Sequence, residues 1–158
     1  MGTKTKFPIA AGSGYEYAAL LQQYLPPLLR GGFPTGNIYF VGSTVTGATN
    51  SATYGYSPEA PLATMAYALG STGPVTASND DLVVVLPGHT EAVIADGTIT
   101  SGKIGVNVVG LGVGLKVPVI TYTTAAAASV NITAAQNYWS NICFNAVGVA
   151  AVTAAINV

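Results

Sequence analysis

The chain has 158 residues, enough for one domain or for one domain with an ordered arm. Half of the residues are apolar and only 7% are charged, against about 25% in an ordinary soluble domain, and the net charge is −1. That balance excludes a broad basic face for reading phosphates, and the hydrophobicity excludes a highly charged disordered tail. One His, one Cys and six acidic residues leave few groups for catalysis.

Residues 1–14 read as a polar, Gly-containing arm. Tyr17, Leu20, Leu21, Tyr24 and Leu25 then recur at helical spacing over 15–29, until Pro26-Pro27 breaks the pattern. Gly31–Asn37 is a linker of turn formers. These features divide the chain into an arm and helix at 1–36 and a main domain at 37–158.

The main domain begins with the strand-like run Ile38–Val41, followed by a loop of Gly, Ser, Thr and Asn from Gly42 to Tyr56. Ser57–Gly70 reads as a short helix: Pro61 suits a first turn, Leu62, Met65, Ala66 and Leu69 share a face, and Gly70 stops it. Leu82–Leu86 is apolar at every position, as in a strand buried on both faces, and Pro87-Gly88 ends it. From there short β-type runs recur. Val85, Val108, Val130 and Val152 mark one series, and Val93, Val119 and Ile142 an interleaved one. Recurrence at a fixed spacing of roughly 20–50 residues predicts a solenoid. Strands pairing in parallel with their equivalents one turn later would give about four turns rising only about 20 Å.

Tyr39-Phe40-Val41, the Ser57–Met65 segment and Leu82–Glu91 together resemble the opening of right-handed parallel β-helix proteins of the pectin-lyase-like superfamily. In that family a short helix caps the coil, and a V-x-P-G-x-x-x-E type segment forms its first full rung. The likeness covers residues 38–145 and implies an all-β fold: a short right-handed parallel β-helix with an N-terminal arm and helix and one short capping helix. Asp80-Asp81 stand where members often have Gly-Asp, and the coil is very short beside the family's enzymes. The resemblance extends to bacteriophage tailspikes, head fibres and capsid decorations. It implies a virion location and makes residues 1–30 an attachment segment.

Each motif that suggests chemistry has a plainer structural reading. Gly97–Lys103 has the spacing of a phosphate-binding loop, but Ile104 stands where Ser or Thr should hold magnesium and a strand pattern follows. A turn between rungs is expected there, and Gly110, Gly112 and Gly114 read as a corner. Asn131-Ile132-Thr133 fits a glycosylation acceptor but falls inside an expected rung. His89 and Glu91 could be drawn as a catalytic pair, although a His beside Pro-Gly reads as a hydrogen-bonded turn residue. No acidic residue follows Asp96, so the later rungs lack the paired carboxylates of glycoside hydrolysis. Cys143 reads as a buried, inert thiol. Asn107, Asn131, Asn137, Asn141 and Asn145 suit hydrogen-bonded stacks along the coil. No catalytic, metal or cofactor site is expected, no secretory signal core follows the basic N-terminus, and no apolar run is long enough to span a membrane.

Assembly is the remaining signal. No charge follows Lys116, and the chain's final segment, Ala150–Val158, carries no charge or proline to protect a strand edge. The expected interface therefore comprises Lys4, Lys6, Phe7, Tyr17, Leu21 and Tyr24 from the arm and helix, with Val152, Ile156 and Val158 from the coil. The expected role is a non-enzymatic virion protein, a capsid decoration or minor capsid protein. The resemblance to phage spike and decoration proteins implies a homotrimer, docked on the major capsid protein, without nucleic acid or membrane. The alternative is a carbohydrate-binding or depolymerising spike head that stacks host glycan on Tyr54, Tyr56, Tyr122, Tyr138 or Trp139, or the anchoring fragment of a longer fibre.

Overall fold

A computed structural model describes residues 36–123, 128–146 and 156–157. Contacts divide the chain into Met1–Phe33 and Pro34–Val158, and all the described residues belong to the second unit. The predicted helix at 15–29 and the predicted rung at Ala151–Ala154 lie outside the described residues.

The described fold is all-β with parallel pairing and one short α-helix. The strands are β1 (Ile38–Val41), β2 (Leu82–Val85), β3 (Thr90–Val93), β4 (Ile99–Ser101), β5 (Asn107–Gly110), β6 (Val119–Tyr122), β7 (Val130–Ile132), β8 (Tyr138–Ser140), β9 (Cys143–Asn145) and β10 (Ile156–Asn157). They form three sheets, ordered β1-β2-β5-β8, β3-β6-β9 and β4-β7-β10. After β1, the chain visits the three sheets in strict rotation, so each strand hydrogen-bonds to its counterpart one round later. Adjacent strands in such a stack lie about 4.8 Å apart.

Inward side chains line up along this stack. Tyr39, Val83, Val108 and Trp139 form one ladder, Val41 and Val85 begin the next, and Glu91, Ile120 and Phe144 align in the second sheet. Ile99, Val130 and Ile156 align in the third. Most of these apolar positions join one core cluster with Leu62, Met65, Ala68 and Leu69. β2 is buried at all four positions, as its unbroken apolar run predicts.

The first series of recurrences requires correction. Val83 pairs with Val108, but Val108 then pairs with Trp139, whereas Val130 pairs with Ile99 in another sheet. Loops of unequal length separate the strands, so a constant spacing merges β7 with a sheet to which it does not belong. In the second series the strands are correctly grouped but out of register: Val93 lies opposite Tyr122 and Val119 opposite Cys143. Gly97–Lys103 is more than a turn, because Ile99–Ser101 is β4, with Ile99 and Ser101 fully buried.

The helix, α1, is shorter than predicted and spans Met65–Leu69. Leu62 lies outside it: its N–H donates to the Phe40 carbonyl, and its own carbonyl accepts from Gly42 N–H. Thr64 caps α1 by accepting the Tyr67 N–H, and Gly70 ends the helix as expected. Met65, Ala68 and Leu69 are buried in the core.

Glycine is required at two bends. Gly88, at φ 76°, turns the chain out of β2. At Gly110 a Cβ would lie 2.1 Å from the Asn141 carbonyl oxygen, so only a hydrogen fits between these rounds.

Candidate functional site

The polar side chains buried in the fold hold backbone. Asp81 is fully buried; its Oδ1 accepts from Asn37 N–H (2.8 Å) and Asn79 Nδ2 (2.7 Å), and its Oδ2 accepts from Thr76 N–H (2.7 Å). Lys103 Nζ donates to the carbonyls of Gly73 and Val75, and burial lowers its pKa. Burial raises the pKa of Tyr39, helped by the Asp81 charge. This arrangement pins the segment from Gly73 to Asp81 against the entrance to β1.

His89 and Glu91 do come together. His89 is fully buried, and its Nε2 lies 3.1 Å from Glu91 Oε2. Its Nδ1 accepts the Ser43 N–H at 3.0 Å, so the ring proton sits on Nε2 and is donated to the carboxylate. Glu91 accepts the Met65 N–H (2.6 Å) and the Ala66 N–H (3.0 Å), the first two amides of α1. A carboxylate here meets unpaired helix N–H groups and their positive partial charge. With these contacts the pair is a bracket joining β3, α1 and the Gly42 loop. The turn reading of His89 identified a hydrogen-bonding role but missed how many segments the residue joins.

The asparagines behave differently from the predicted stacks. Asn131 does lie opposite Asn157, but Asn107 lies opposite Tyr138. Asn137 Nδ2 donates to the carbonyls of Lys103 and Ala134 while its Oδ1 accepts from Ser101 Oγ, and Asn141 Nδ2 donates to the carbonyls of Gly110 and Gly112. Amides are needed where loops cross from round to round, because backbone carbonyls there have lost their ladder partners. At one such crossing Asp96 is exposed, and hydrogen bonds from Ser129 and Asn131 hold its pKa below the usual carboxylate value. Among the described residues no group of three His, Cys, Asp or Glu could hold a metal ion. No described helix is long and apolar enough to cross a membrane.

What stands out is the last round. Along the third-sheet ladder, Ile99 and Val130 are fully buried, but Ile156 is 40% exposed. Along the first, Tyr39, Val83 and Val108 are buried, and Trp139 is only half-buried. Trp139 and Phe144 stack with ring centroids 6.5 Å apart, both packed on the edge of the core. Trp139 Nε1 is buried without a hydrogen-bond partner among the described residues. Tyr138, Ile142, Phe144 and Asn145 are half-buried. Cys143, expected to be buried, is exposed here because the residue before Phe144 points to the outer face of β9.

Of the nine predicted interface residues, Ile156 falls in this round. Lys4, Lys6, Phe7, Tyr17, Leu21, Tyr24, Val152 and Val158 lie outside the described residues or have undescribed side chains. The sequence leaves sugar stacking, core and interface open for Trp139 and does not single out Phe144, and the structure places the two rings together in this round. Among the predicted sugar-stacking aromatics, Tyr122 is buried in the core, so its ring presents no face to a glycan. Tyr54 also packs on the core, and only Tyr56 among the five is well exposed, at 59%. Comparison of the chain with protein-family models, with curated proteins and with solved structures returns no match.

Proposed function

We propose that this chain is a non-enzymatic assembly protein of the bacteriophage virion, a capsid decoration or minor capsid protein. Its rotating strands would wind as a short right-handed parallel β-helix, and three copies would associate through the last round. The observation that carries the assembly reading is the loss of cover along the core ladders at Trp139 and Ile156. Apolar surface removed from water contributes about 25 cal/mol per Å², so a neutral round with partly uncovered aromatic and aliphatic side chains favours association with another apolar surface. A second copy supplies such a surface, and no charge after Lys116 opposes it. The virion setting rests on the resemblance of residues 38–145 to phage β-helix proteins, with residues 1–36 as the segment that docks on the major capsid protein.

Light scattering on the full chain over a range of concentrations tests this reading. A mass near three times 15.9 kDa is expected, and a monomer at every concentration would overturn the assembly reading. Host glycan binding that is lost on replacing Tyr56 would favour the spike-head alternative, since that ring is exposed.

A further inference from the structure

The bracket at His89 has a second property, independent of assembly. We propose that His89 is an acid-sensitive latch on the Gly42–Tyr56 loop. The neutral ring uses both nitrogens in opposite senses, accepting from Ser43 at Nδ1 and donating to Glu91 at Nε2. A proton added to Nδ1 leaves the Nε2 bond in place and strengthens it by adding charge. At Nδ1 it sets two N–H donors against each other at 3.0 Å, and full burial of the ring leaves no water to accept either one. Ser43 must then move away from the ring.

The consequence is confined to one side of the bracket. Ser43 is also held through its side chain, which donates to the Thr90 carbonyl and accepts the Thr90 N–H. Losing the amide bond loosens the entry to a loop that itself supports α1: Asn50 Oδ1 accepts the N–H groups of Ala63 and Thr64, and Asn50 Nδ2 donates to the Thr64 hydroxyl. Glu91 keeps its two bonds to the start of α1. Acid therefore frees the loop before it frees the helix.

Among the described residues, few charged groups lie around the ring. Glu91 contributes the carboxylate from the same strand, and Lys116 lies beside Gly88, where its backbone carbonyl accepts the Gly88 N–H. The Gly42–Tyr56 loop contains no acidic, basic or histidine residue, and α1 carries no acidic residue in its first turn and no basic one in its last. Among the described residues, a pH response at Ser43 thus has one local source other than Glu91.

Nuclear magnetic resonance on the full chain, acidified in steps from a mildly alkaline start, tests the latch. At the upper end, the nitrogen shifts of His89 should identify a neutral ring protonated on Nε2; a ring protonated on Nδ1 would overturn the proposal outright. On acidification the Ser43 amide should lose protection from exchange by about tenfold, while the amides of Met65 and Ala66 keep theirs. His89→Asn offers an oxygen near the position of Nδ1 that does not titrate, and it should abolish the pH dependence at Ser43. Glu91→Gln removes the negative charge that favours the protonated ring, so it should move that dependence to more acid conditions without abolishing it. Abolition of the dependence by Glu91→Gln, or loss of protection that affects Ser43, Met65 and Ala66 together in the unmodified chain, would overturn the latch.

Discussion

The first and last rounds of the stack are built from similar strands and finished in opposite ways. At the first, β1 has its outer edge occupied: Phe40 N–H donates to the Gly55 carbonyl, Leu62 N–H to the Phe40 carbonyl and Gly42 N–H to the Leu62 carbonyl. α1 then seals the core beneath it with Met65, Ala68 and Leu69, and buried Asp81 and Glu91 satisfy the backbone amides that this closure strands. At the last described round, β8, β9 and β10 carry half-buried or exposed side chains. Closing a β stack needs polar groups at defined positions, and the acidic residues of the main domain lie in its first half, from Glu59 to Asp96.

Substitutions can break this contrast. The largest effect is expected at Asp81→Ala, which removes the buried carboxylate that accepts from three donors and should cost about 3–5 kcal/mol by chemical denaturation. Met65→Ala, which opens a cavity under the cap, should cost about 2–5 kcal/mol in the same assay. Glu91→Gln keeps one acceptor oxygen for α1 and should cost about 1–2 kcal/mol.

At the other end the stability of the isolated subunit should barely move. Ile156→Lys is expected to change it by less than about 1 kcal/mol while shifting the mass of the particle towards the monomer; an unchanged mass would place the interface elsewhere.

The smallest expected effect concerns Asp96. Its carboxyl titrates lower in the folded chain than in the unfolded one, because Ser129 and Asn131 donate to its charged form. Its contribution is present above the unfolded carboxylate range and is lost as pH falls through the folded value. Asp96→Asn should therefore lower Tm slightly at neutral pH and flatten its dependence below about pH 4, so that the two chains converge in acid.

The sequence reveals the class of fold because burial on both faces leaves an unbroken apolar run, as at Leu82–Leu86, and Pro-Gly pairs punctuate such runs. The rotation through three sheets was only partly legible. Ile99–Ser101 is too short to show alternation, and its flanking glycines mimic a phosphate loop. Tyr138–Ser140 has no aliphatic residue to mark it as the continuation of Val83 and Val108. The start of α1 was misplaced because Pro61 is a good first-turn residue, whereas the true start depends on Thr64 and on a carboxylate at Glu91, distant in sequence. Long-range hydrogen bonds of this kind decide between locally equivalent starts, and a local pattern does not contain them. The candidate interface was legible in its neutrality after Lys116, and the aromatic pair within it emerged only when register placed Trp139 and Phe144 side by side.

The position of Trp139 has an optical consequence. It is the chain's single tryptophan, and its indole lies in the round left partly open, with its N–H lacking a partner among the described residues. Emission from this ring comes from one place in the molecule, and its wavelength follows the polarity around it. A neighbour that covers the last round would shift the emission to the blue, while rearrangement at the capped end would leave it nearly unchanged. The protein carries a built-in fluorophore that distinguishes events at its two ends without a label.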